Sequence, residues 1–198
     1  MPTLTAAVLE NFEDIKEYLK LTSSDADGKL REMLNAVCAD AQNRFMKRAL
    51  LKATYTDELH DGNGTEEIVL ENWPVVSIAS LTIDNHHTNP TTLTEGITND
   101  FLWYADGRII LVRQLTYRFP QSVKCTYDAG YDGIANVPLE IRQSIREAVA
   151  HKWRVQDKKS ASVTSQTLGN QSQVLIADKA YPKHVTDVWT AYRRKKHG

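Results

Sequence analysis

Residues 122–153 read SVKCTYDAGYDGIANVPLEIRQSIREAVAHKW, and their periodicity changes part-way along. From Ser122 to Tyr127 the side chains alternate, with Val123, Cys125 and Tyr127 on one side and Ser122, Lys124 and Thr126 on the other, which predicts a half-buried strand. After Pro138 the apolar positions are Ile141, Ile145, Ala148, Val149 and Trp153, steps of three and four that predict an amphipathic helix to about residue 155. Proline suits the first helical position, because its missing N–H has no partner there in any case. A β section therefore gives way to a helix, and the fold predicted is α+β.

Upstream, the β section extends over about residues 54–127. Asp106-Gly107, set between Phe101-Leu102-Trp103-Tyr104 and Ile109-Ile110-Leu111-Val112, is the strongest hairpin signal in the chain. Asp61-Gly62-Asn63-Gly64 before Ile68, Val69 and Leu70 reads as a tight turn, and Pro74 introduces a strand from Val75 to Ile83. Further upstream the period is helical. Val8, Leu9, Phe12, Ile15 and Leu19 predict a first helix over about 8–21. Ser24 is placed as the N-cap of a second helix, over about 24–50, whose buried stripe is Leu30, Leu34, Val37, Cys38, Ala41 and Phe45.

Downstream, residues 157–174 are mostly Ser, Thr, Gln, Asn and Lys, too polar to offset the entropy of ordering, and read as a mobile arm. A short amphipathic helix is expected over about 182–194, opening at Pro182. The predicted organisation is an N-terminal helical bundle with a small inserted antiparallel β subdomain over residues 1–155, then a polar arm over 156–198 that ends in this helix. Val185, Val188, Trp189 and Tyr192 give the helix one apolar face, and Arg193, Arg194, Lys195 and Lys196 give it a positive end. These eight residues are expected to bind a partner.

Composition narrows the function. Hydrophobic residues make up 41% and charged residues 25% of the 198, ordinary for a globular protein, and no apolar run reaches the ~20 residues of a membrane-spanning helix. Cys38 and Cys125 match neither a disulfide framework nor a Cys-x-x-Cys motif and read as reduced and buried. Residues 1–100 hold 8 Lys+Arg against 17 Asp+Glu, whereas residues 151–198 hold 10 against 3. That polarity suits head-to-tail self-association or an acidic partner.

No Gly-x-Ser-x-Gly elbow, phosphate-binding loop or metal-ligand spacing occurs. His86-His87 reads as a polar loop, since adjacent side chains point apart. The segment from Asp57 to Glu66 fails as a calcium loop, with Glu66 where glycine is required. No catalytic residue, cofactor or metal is expected, although a carboxylate pair assembled by folding is left open by the sequence. Nucleic-acid binding through the aromatic residues and basic tail is a minority reading.

The order of elements resembles phage head-tail connector (adaptor, or head-completion) proteins. Ile15-Lys16-Glu17-Tyr18-Leu19 with Ser24-Asp25 and Leu30 resembles the family's opening helices, and Tyr55-Thr56-Asp57, Asp61-Gly62-Asn63-Gly64 and Pro74-Val75-Val76-Ser77-Ile78 its central turn and strand. Tyr127-Asp128-Ala129-Gly130-Tyr131, leading through Val137-Pro138 to Ile141-Arg142, is similar to the signature before its third helix. Ser144 departs from the pattern, standing where a small apolar residue is expected. The resemblance implies a non-enzymatic structural subunit in a closed, usually twelve-fold ring at the virion neck, assembled in host cytoplasm. Its implied partners are the portal protein, copies of itself, the next neck or tail protein and viral DNA passing non-specifically, with no membrane. A stopper or tail-completion factor is the alternative neck role.

Overall fold

The computed structural model describes residues 8–84, 89–112, 115–116, 118–160, 167–168, 171–172 and 181–194. His86, His87 and most of the predicted arm lie outside them. The chain divides into a helical unit, from the described residues of Met1–Lys47 and Ile134–Arg193, and a β unit, from those of Arg48–Gly133 and Arg194–Gly198.

The helical unit contains α1 (Phe12–Tyr18), α2 (Asp27–Asp40), α3 (Leu139–Ser160) and α4 (Lys183–Ala191). α1 is shorter than the periodicity predicted. Val8 and Leu9 are buried, but in chain that precedes the helix, where the Leu9 N–H donates to Cys38 Sγ at 3.4 Å. α2 starts later than expected, because Ser24 does not cap it; the neighbouring Ser23 hydroxyl instead turns the chain with Asp25, at 2.7 Å. α2 then runs into a wider π-helical turn, Ala41–Met46, closed by Lys47 in the left-handed region at φ 56°. A π turn holds one more residue than an α turn, so the buried stripe slips by one. Leu30, Leu34, Val37, Cys38 and Ala41 are buried as predicted, but the stripe continues through Met46, and Phe45 is only half-buried. α3 buries Ile141, Ile145, Ala148 and Val149, leaves Trp153 half-buried under Lys29, and runs on to Ser160.

The β unit holds β1 (Ala53–His60), β2 (Glu67–Val69), β3 (Val75–Ile83), β4 (Thr91–Leu93), β5 (Phe101–Trp103), β6 (Arg108–Leu111) and β7 (Val123–Ala129). Two antiparallel sheets result, ordered β1-β7-β3-β4 and β2-β6-β5. The Asp106-Gly107 hairpin joins β5 to β6 as read, with Phe101 opposite Leu111. Gly107 sits at φ 90°, where a Cβ would come 3.2 Å from the Leu70 carbonyl oxygen. The Asp61–Gly64 turn does not make a hairpin, because β1 and β2 belong to different sheets; Asn63 holds it by accepting from the Thr116 hydroxyl at 3.0 Å and donating to the Glu67 carbonyl at 3.0 Å. Between the sheets lies a core that includes Ile68, Leu81, Phe101, Ile109, Leu111, Val123 and Tyr127. Two further short strands, β8 (Thr167–Leu168) and β9 (Gln171–Ser172), pair with each other where sequence composition predicted an arm.

Candidate assembly surfaces

α4 packs on α3 and on the π turn, within the helical unit. Spacing of four puts Val185 and Trp189 on one side, and both are fully buried. The Trp189 indole N–H donates to Ser144 Oγ at 2.8 Å, and that hydroxyl donates to the Ile141 carbonyl at 2.6 Å. Ser144, the residue that departs from the apolar pattern, is thus the acceptor a buried indole requires. Phe45, displaced from its own stripe by the π turn, lies 5.2 Å from Trp189 and 6.1 Å from Tyr181, whose rings are 4.9 Å apart. Tyr181 donates to Asp40 at 2.5 Å, and Lys152 lies 4.6 Å from the Tyr181 ring. Burial, and then the Asp40 carboxylate, push the Tyr181 hydroxyl well above the usual tyrosine range, so it stays protonated and donating.

Two of the residues expected to bind a partner are thus buried within the chain itself. Val185 and Trp189 are covered by their own chain, because the groove between α3 and the π turn supplies both apolar area and a matched acceptor. Val188 and Tyr192 are half-buried, with the Tyr192 hydroxyl bonded to Glu140, and Arg193 is exposed. Arg194 belongs to the β unit, where it pairs with Glu71. Lys195 and Lys196 lie outside the described residues.

A second set of contacts fixes α3. Glu10 is fully buried and receives Arg146 Nε at 2.8 Å and Arg142 Nη2 at 3.2 Å, while Asp14 receives Arg146 Nη2 at 3.1 Å. Two mostly buried guanidiniums that keep an edge in water tie the segment around α1, through a buried carboxylate, to the first turns of α3.

In the β unit the signature Tyr127–Tyr131 has a steric explanation. Gly130 takes φ 112°, and a Cβ there would sit 2.7 Å from the Leu51 backbone, while the Tyr131 N–H donates to the Leu50 carbonyl at 2.8 Å. Asp128 accepts from the Thr54 hydroxyl at 2.7 Å, linking β7 to β1. The Tyr127 hydroxyl donates to Glu58 at 2.9 Å, and His60 stands 2.9 Å from the same carboxylate. Both cysteines are free and buried, and burial pushes each thiol up to about 12, away from the reactive range. Among the described residues no group of three or more His, Cys, Asp or Glu is arranged to hold a metal ion, and no helix is long and apolar enough to cross a membrane.

A family model described as head completion protein matches residues 9–195. The chain belongs to the head completion protein family. The resemblance read from the sequence is therefore borne out, and the role is structural. Two solved structures share the fold of this head completion protein. One, titled "Neck of empty GTA particle computed with C6 symmetry", aligns at TM-score 0.57 and 15% identity over 99% of this chain and 95% of that one. The other, "Neck of native GTA particle computed with C12 symmetry", aligns at 0.53 and 15% over 100% and 97%, GTA denoting a gene transfer agent. No curated protein matches the chain.

Proposed function

We propose that this head completion protein is a head-to-tail connector (adaptor) subunit whose copies form a ring at the neck of a tailed phage, prophage or related particle. The ring docks on the portal, extends the DNA channel and recruits the next neck or tail component, and the subunit has no catalytic role. The observation that carries this reading is the family match over nearly the whole chain. The shared fold with neck structures solved under six-fold and twelve-fold symmetry supports it. A stopper should be mostly β, whereas helix exceeds strand among the described residues, which favours the adaptor.

In this reading Val188, Tyr192, Arg193 and the following basic residues remain the part of the C-terminal segment that reaches the portal or a neighbouring subunit, while Val185 and Trp189 brace it from behind. DNA passes without being read, so any binding is weak, sequence-independent and lost with added salt. The free protein is monomeric or weakly associated in host cytoplasm and closes into a ring on the portal. Imaging purified portal mixed with the chain tests this. A closed ring, about twelve-fold, is expected; a complex with one or two copies sinks it.

A further inference from the structure

We infer that one end of the three-stranded sheet is the surface by which one copy of this chain grips the next, and that its occupant is the distal end of α3 of the neighbouring copy. The inference rests on the ring reading above. Strand register assembles the surface from separate segments. Leu111 is opposite Phe101 and its N–H donates to the Glu66 carbonyl at 2.8 Å; Glu95 bridges to Phe101, and the Thr116 N–H donates to the Thr65 carbonyl at 3.1 Å. This end of the sheet thereby carries Glu66, Glu67, Glu95, Ile97 and Leu115. Ile97 is 74% exposed and Leu115 50%, more than any other large apolar side chain described in the β unit.

The backbone on either side of Ile97 is also tied down by hydrogen bonds. In the loop that carries it, the Gly96 N–H donates to the Phe101 carbonyl at 2.8 Å, Asn99 Nδ2 to the Glu95 carbonyl at 2.8 Å, and the Thr94 N–H to Asp100 Oδ2 at 2.8 Å. A β-branched apolar side chain fixed in water by its own loop is pre-organised for a partner, since little entropy is lost on contact. The acidic rim selects which partner. Asp57 and Asp128 have Lys124 and Lys52, and Glu67 interacts with Arg108, but Glu66 and Glu95 form no ion pair among the described residues.

Charge is divided along the chain to match. Residues 48–133 hold 12 Asp+Glu against 6 Lys+Arg, and residues 134–198 hold 5 against 12. On α3, Arg142, Arg146 and Lys152 are bonded to carboxylates of the helical unit, but Arg154 and Val155 are exposed, with Lys158 and Lys159 following in sequence. A cation beside an apolar side chain is the complement of carboxylates around Ile97 and Leu115. Two acidic sheet ends repel each other, so the contact is head-to-tail, and head-to-tail contacts whose rotation closes build rings rather than two-fold dimers.

The test uses the full chain with purified portal rings, counting copies per portal by native mass spectrometry. One variant reverses the rim, Glu66→Lys with Glu95→Lys; another reverses the helix, Arg154→Glu with Lys158→Glu; a third, Ile97→Ser, changes no charge. Circular dichroism melting confirms that each folds. Each variant is expected to close rings on the order of ten-fold less well than wild type, and an equal mixture of the two reversed variants is expected to restore closure, because each supplies the other's complement. Closure by all variants at the wild-type level overturns the surface while leaving the ring reading intact. Weakened variants that no mixture rescues overturn α3 as the occupant. A wild type that forms no ring overturns the ring reading and this inference with it.

Discussion

In the helical unit, the groups that hold elements together come from distant parts of the chain. Glu10 meets Arg142 and Arg146, Asp40 meets Tyr181, and Ser144 meets Trp189. The β unit is built almost entirely from one continuous segment, Arg48–Gly133, in which backbone ladders and an apolar core do most of the holding and the Glu58 network supplements them. The helical unit therefore adds a few specific polar pairs to its buried apolar stripes, and it needs the C-terminal segment to complete its core. The β unit spreads its stability over many equivalent contacts, so single polar deletions should cost it less.

Removing the C-terminal segment probes that contrast hardest. Truncation after Asp178 takes Tyr181, Val185 and Trp189 out of the helical unit, and loss of one buried tryptophan side chain alone costs about 3–5 kcal/mol. At ~2–4 °C per kcal/mol for a chain of this size, calorimetry should record a fall in melting temperature of at least ~6 °C. Unchanged melting would mean that α4 contributes nothing in its own chain, and would return Val185 and Trp189 to a partner.

Glu10→Ala removes the centre of the α1–α3 clamp. The expected loss is about 2–3 kcal/mol in urea denaturation, less than for a stranded buried ion because Arg142 and Arg146 keep contact with water. A loss no larger than that of an exposed surface pair would show that the clamp sets position and adds little stability.

Ser144→Ala is a finer cut, leaving the fully buried Trp189 N–H without its acceptor at a cost of about 1–2 kcal/mol. Thermal melting measures the cost, and tryptophan fluorescence reports whether the ring has moved. Stabilisation by alanine, the small apolar choice, would break the explanation given for this residue.

The smallest effect is the pH response of the β unit. Burial pushes Glu58 up, but hydrogen bonds from His60 and Tyr127 outweigh it and hold the carboxyl below its ordinary value of 4.5. A depressed folded value stabilises the native state above 4.5 and is lost as the pH falls through the folded value. Urea midpoints measured on acidification should drop more steeply for wild type than for Glu58→Gln. Parallel profiles would remove Glu58 from the stability of the β unit.

The sequence by itself determined the elements and the family. Alternation fixed β7, Pro74 and the residues after it fixed β3 from Val75 to Ile83, Asp106-Gly107 fixed the β5–β6 turn, and the steps from Ile141 to Val149 fixed the core face of α3. All of these are local, carried by backbone preference and side-chain period within a few residues. Tertiary structure alone decided that β7, the last strand of the β unit, runs between β1 and β3, because pairing depends on which edges meet and leaves no period in the sequence. It also decided that the π turn passes burial from Phe45 to Met46 and frees Phe45 for Trp189 and Tyr181. An amphipathic stripe records that Val185 and Trp189 are to be buried without naming the surface that buries them; Ser144, 45 residues away, supplied the acceptor that placed them in their own chain.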